Sequence, residues 1–187
     1  MRELDLEEKK KPDFLRMASK FGLIMGLATS AVHFIFYLLE GSNVSSFIVT
    51  MLTLIAVIYI IYKATKNYRT ESGGYISYRQ ALVYGVAIFM FAGIVGAIYS
   101  YIFNTIDPEY VYRQLETVKQ QFLDAKFAEM AVEQIISDMR EGLDYQMQHP
   151  FQSILSAIFW NTFLGTLFCL VSSAFLRKNK PEIINES

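Results

Sequence analysis

Few residues in this chain have both the type and the setting to do chemistry. His33 is the only histidine, acid or base deep inside a long apolar run, three residues after Ser30 and four before Tyr37. An imidazole in that position can relay a proton or hold a ligand. It can equally stay neutral and hydrogen-bond to another helix. Asn161, inside another apolar run, offers the same two readings, an interhelical hydrogen bond or a substrate contact. Cys169 is the only cysteine, so it forms no intramolecular disulfide and reads as a small packing residue. The sequence has no HExxH, no Cys/His cluster and no Gly-rich phosphate loop, and no serine lies in a GxSxG setting. Gly73 and Gly74 read as a turn. The expectation is a non-enzymatic protein with no catalytic, cofactor or metal residues to nominate.

These residues are carried by four apolar runs without Lys, Arg, Asp or Glu, at 21–39, 45–62, 81–103 and 154–176. A bilayer core of about 30 Å needs roughly 20 helical residues. The third and fourth runs meet that length, the first is extended by Met17, Ala18 and a snorkelling Lys20, and the second is short. Five acids precede the first run (Glu3, Asp5, Glu7, Glu8 and Asp13), which argues against a cleaved signal peptide. The expected fold is all-α, a polytopic membrane protein built as a bundle of four transmembrane helices. Its parts are an N-terminal tail at 1–16, three transmembrane helices within 17–103, an outer segment at 104–151, a fourth at 152–176 and a C-terminal tail at 177–187. No run contains the buried charge typical of ion-coupled pumps and voltage sensors.

Basic residues set the expected orientation, because Lys and Arg favour the cytoplasmic side. The N-terminal tail, the second connection and the C-terminal tail together hold 13 of them, and the other two connections hold 4. Both ends are therefore expected in the cytoplasm. The net charge of −1 gives no basic character to suggest nucleic-acid binding.

The third connection carries nine acids against four bases. Asp107, Pro108 and Glu109 make a helix start, with an N-cap, a proline at the first helical position and an acid at the positive end of the dipole. Val111, Leu115, Val118 and Phe122 recur at helical spacing, as do Val132, Ile135, Met139 and Leu143. A straight helix over 107–141 would be about 50 Å long, and the residues after it could reach back only about 35 Å. A break near 124–128, giving an extracytoplasmic helical hairpin, is the expected solution. The alternative is a helix lying on the membrane surface.

Small residues four apart mark expected helix contacts in lipid. They are Gly22, Gly26 and Ser30 in the first run, and Ala81 with Gly85 and Gly93 with Ala97 in the third. The fourth holds Ser153, Ala157, Asn161, Gly165, Cys169 and Ser173. The length of this last series makes the fourth run the expected central helix.

The chain also carries an ordered set of segments. Gly74, Tyr75, Ile76, Ser77, Tyr78, Arg79, Gln80 and Ala81 lead into the third run, which ends in Ile98, Tyr99, Ser100, Tyr101, Ile102 and Phe103. Ile106, Asp107, Pro108, Glu109 and Tyr110 open the acidic segment, and Ala174, Phe175, Leu176, Arg177 and Lys178 close the fourth run. In these, and over about residues 14–180, the chain resembles the bacterial membrane family called domain of unknown function 4199. The resemblance implies a small four-span protein of the bacterial envelope, typical of Bacteroidetes, and no particular activity. The stretch 126–147 is longer than such members usually have.

The function expected is that of an inner-membrane protein scaffolding or modulating a partner. Its contacts would be membrane lipids, a protein at the acidic outer segment 107–147, and a second copy of itself as a homo-oligomer. The competing reading is a small transporter or channel subunit acting as an oligomer, with a cavity lined by His33, Asn161 and hydroxyls.

Overall fold

The structure, a computed structural model, describes residues 13–38 and 43–178. It contains six helices: α1 (Phe14–Leu38), α2 (Asn43–Glu71), α3 (Tyr78–Ile106), α4 (Pro108–Asp124), α5 (Glu129–Gln148) and α6 (Pro150–Leu176). The helices α1, α3 and α6, with α2 from Phe47 on, are long and apolar enough to cross a membrane. The first twelve residues, with four of the five acids weighed against a signal peptide and four of the counted bases, lie outside the described residues. So do residues 39–42 of the first connection and the end of the C-terminal tail.

The helices outrun the charge-free stretches because charge at a helix end does not stop it. The second run ends at Tyr62, but α2 continues through Lys63, Lys66 and Arg69. It stops where Gly73 adopts φ 84°, with Gly74 N–H bonded to Arg69 O at 2.8 Å and Gly73 N–H to Thr70 O at 3.3 Å. That pair of bonds around a left-handed residue closes the orphaned carbonyls of a helix end. Ser77 and Gln80 then start α3 with a reciprocal capping box.

The helix α3, not α6, is central. It packs on α1 along one side and α6 along another, and buries nine residues where α6 buries three. The small-residue series on α6 lies along one side, where Gly165, Cys169 and Ser173 are buried, and one such face suits a helix with one close neighbour. The glycines on these faces permit close approach. A side chain at Gly22 would run into Phe91 and the Ile88 carbonyl, and one at Gly165 into the Phe89 ring.

The helices α4 and α5 pack on each other around Leu115, Val132 and Ile136, with partly buried Val118, Phe122 and Leu143 around them. The chain turns between them at residues 125–128 through Lys126, a non-glycine residue at φ 61°. Phe127 N–H reaches Phe122 O at 3.1 Å, Lys126 N–H reaches Leu123 O at 2.9 Å, and the two phenylalanine rings meet edge to face at 5.4 Å. This is the same helix-ending arrangement as at Gly73, with the apolar contact that commonly accompanies it.

The two ends of the bundle differ. At one end Ile76 and Lys178 exchange backbone hydrogen bonds of 3.0 and 2.9 Å, tying the α2–α3 connection to the segment after α6. The Tyr68 and Tyr84 rings stack there at 4.5 Å, with Phe14 from the start of α1 packed edge-on against both. The ends holding Arg16, Lys66, Arg69, Arg79 and Arg177 thus gather together, and α4 and α5 lie at the other end.

Candidate functional site

Asp107 organises the end of the bundle that carries α4. It sits between the last turn of α3 and the first of α4, where its Oδ1 accepts the Tyr110 backbone N–H at 3.0 Å. Its Oδ2 accepts the Tyr37 hydroxyl from the end of α1 at 3.0 Å and the Arg113 guanidinium at 3.0 Å. Partial burial alone would raise the Asp107 pKa. The Tyr37 and Tyr110 hydrogen bonds and the Arg113 charge outweigh it, and hold this carboxyl below its ordinary value. Tyr110 lies against Tyr37 at 4.8 Å and Phe103 at 5.3 Å, and burial pushes its phenol up. Further out, the Tyr112 hydroxyl donates to Asp144 of α5, which raises the Tyr112 phenol. Lys119 pairs with Glu133 at 2.6 Å, which raises the ammonium.

His33 borders this cluster. Its Nδ1 lies 3.0 Å from the Tyr99 hydroxyl of α3, a hydrogen bond whose donor follows the histidine tautomer. Its ring meets Tyr99 and Phe103 edge to face. The imidazole therefore has the interhelical partner that its neutral reading requires.

His33 also lines a cavity of about 560 Å³ that Asn161 lines from the far side. Thr29, Thr50 and Thr53 contribute hydroxyls, and Val57, Leu164 and Phe168 give it a mostly apolar wall. Thr29 and Thr53 return their hydroxyls to carbonyls of their own helices, Met25 at 3.0 Å and Val49 at 2.8 Å. The Asn161 amide has no hydrogen-bond partner among the described residues, and its Cβ packs over Gly93. Cys169 stays apart, buried where a side chain on Gly85 would come within 2.5 Å of its sulfur. It has no base beside it, and no group of acids, histidines or cysteines suited to a metal occurs among the described residues.

A second cavity, of about 520 Å³, opens between the last turns of α3 and the first turns of α6, with the end of α5 as a third wall. It takes up Ser153 and Ala157 of the small-residue series. Sequence reasoning missed it, and missed the joining of Tyr37 and Arg113 by Asp107. The Asp-Pro pair signalled only the helix start, since the other partners come from contacts across the fold.

The model of a family described as "Protein of unknown function (DUF4199)" matches residues 20–178. No curated protein and no solved structure matches the chain. The match spans α2, α3, the Asp107 junction, α4, α5 and α6 entirely, and α1 from Lys20 on, so the chain belongs to the DUF4199 family.

Proposed function

We propose that this protein crosses a bacterial inner membrane four times, with both ends in the cytoplasm, and acts there as a non-enzymatic scaffold or modulator. It would hold a partner on an extracytoplasmic hairpin formed by α4 and α5. The gathering of basic residues at one end supports this orientation. The observation that carries the docking reading is the surface of α4 and α5. Phe127, Met130 and Met139 are exposed, Met130 by 88%, among Glu129, Glu133, Asp138 and Glu141. Apolar side chains set among acids suit a partner of basic and apolar character.

The test replaces residues 109–145 with a short Gly/Ser linker. Insertion should survive while a cross-linked partner is lost. Insertion with every cross-linked partner retained would exclude the docking role. Reporter fusions test the topology, with cytoplasmic activity expected after Arg177 and within residues 70–74, and periplasmic activity within residues 124–126.

One observation favours the transporter reading, namely the shared cavity of His33 and Asn161. A membrane-impermeant thiol reagent distinguishes the two functions. With Cys169→Ser as background, rapid labelling of a Thr53→Cys variant would indicate a water-filled path. The scaffold reading expects no labelling there.

A further inference from the structure

The cavity between α3 and α6 has the chemistry of a ligand site. Its volume of about 520 Å³ falls within the roughly 300–1,000 Å³ of small-molecule pockets. Asn104 of α3, Gln146 of α5, and Ser153 and Ser156 of α6 are among its lining residues, and none of these side chains has a hydrogen-bond partner among the described residues. Asn104 and Ser153 are half-buried and Gln146 and Ser156 exposed, so their donors and acceptors are open to an occupant that can hydrogen-bond several times. No charged residue lines the cavity, so a phosphate or carboxylate would find no cation there.

The cavity is graded along the helix axis. Gln146 and Asn104 lie at the end where α4 and α5 join the bundle, and Ala97, Ala157 and Trp160 lie further along α3 and α6 from that end. From Pro150 to Trp160 the helix rises about 15 Å, which on the four-span reading runs from the headgroup layer into hydrocarbon. An amphiphile with an uncharged, hydroxyl-rich head fits this gradient. The amides and serines would meet the hydroxyls, and Trp160, an aromatic with an apolar body and a polar edge, would meet the start of the acyl chain.

We propose that this cavity binds the neutral, polyhydroxylated headgroup of a membrane glycolipid. The inference rests on the four-span reading, and goes beyond the docking role assigned to α4 and α5.

Trp160 is the only tryptophan in the chain, so the emission comes from a residue that lines this cavity. The full chain is placed in phosphatidylcholine nanodiscs containing increasing monoglucosyl diacylglycerol. The expected result is a saturable shift of Trp160 emission, absent with phosphatidylglycerol and with free glucose. Ser156→Phe, which fills the cavity, should weaken the response at least about tenfold. The double variant Asn104→Ala/Gln146→Ala, which removes two amides from the lining, should weaken it in the same direction, and it carries the test if Ser156→Phe fails to fold. Absence of saturation, or unchanged saturation in the folded variants, would overturn the proposal. Equal saturation by phosphatidylglycerol would overturn the neutral head, and equal saturation by free glucose the lipid source. A reversed reporter pattern would overturn the membrane orientation and leave this titration standing, so the two failures are distinguishable.

Discussion

The seam between α3 and α6 is closed at the end near Lys178 and open at the end near Pro150. One series of small residues runs along both halves of α6. Gly165, Cys169 and Ser173 are buried, whereas Ala157 and Asn161 are exposed and border cavities. At the closed half α3 supplies Phe89 and Gly85 to fit against α6, and Tyr78 donates its hydroxyl to the Leu170 carbonyl at 3.1 Å. At the open half α4 and α5 are joined to the last turn of α3 and the first of α6, and Leu143, Gln146 and Met147 stand in the third wall. Small residues thus permit close approach, and the facing helix decides whether it happens. A stripe read from one helix reports half of a contact.

The sharpest way to break this contrast is a matched pair of substitutions. Gly165→Leu should destabilise by about 3 kcal/mol, at the upper end of overpacking costs, because its Cβ would run into the Phe89 ring. Ala157→Leu, at the open half, should cost little, as should Leu164→Ile. Thermal melting in detergent reads all three. Equal losses for Gly165→Leu and Ala157→Leu would mean that the two halves are packed alike.

A smaller effect is expected at the Tyr78 hydroxyl. Tyr78→Phe removes one hydrogen bond from the closed half and should cost about 1 kcal/mol. The readout is again the melting temperature, with glycolipid-dependent Trp160 emission unchanged, since the site of that response lies at the other end. A change in the Trp160 response would show that the two halves are coupled.

Much of the architecture was legible in sequence because it follows from local rules. Charge-free runs located four helices, Asp107 and Pro108 located the start of α4, and chain reach left a break near residues 124–128 or a helix along the membrane surface, of which the chain shows the break, with its turn at Lys126. What was illegible depends on pairs of elements. The central place of α3 was hidden because its small residues form short pairs, and a helix with two neighbours needs two partial faces where α6 needs one long one. His33 and Asn161 were each visible as polar groups within apolar runs, but their sharing of one cavity depends on how α1 and α6 flank α3. Tyr37 was visible only as a neighbour of His33, and its bond to Asp107 crosses 70 residues. The turn at Lys126 carries no glycine, so composition did not announce it.

The smallest expected effect concerns what anchors the open end. Asp107 joins α1, α3 and α4 through Tyr37, its own junction position and Arg113, and these bonds favour its ionised form. Its pKa lies below the ordinary 3.8 in the folded protein. A carboxyl shifted down on folding contributes its stability fully above the ordinary value, and loses it progressively as pH falls towards and through the folded value. Hydrogen exchange at the first-turn amides of α4 should therefore be unchanged from neutral pH to about 5, and opening should grow as pH falls below about 4, after correction for the intrinsic exchange rate. Asp107→Asn keeps an acceptor for Tyr110 N–H but loses the charge facing Arg113 and Tyr37. It should show weaker protection already at neutral pH and a flatter response to acid. The amides of α6 around Gly165 and Cys169 should stay protected throughout, because that half is held by close packing and contains no carboxylate. If acid instead loosened both halves together, or if Asp107→Asn kept the full acid response, the open end would be held by something other than this carboxylate.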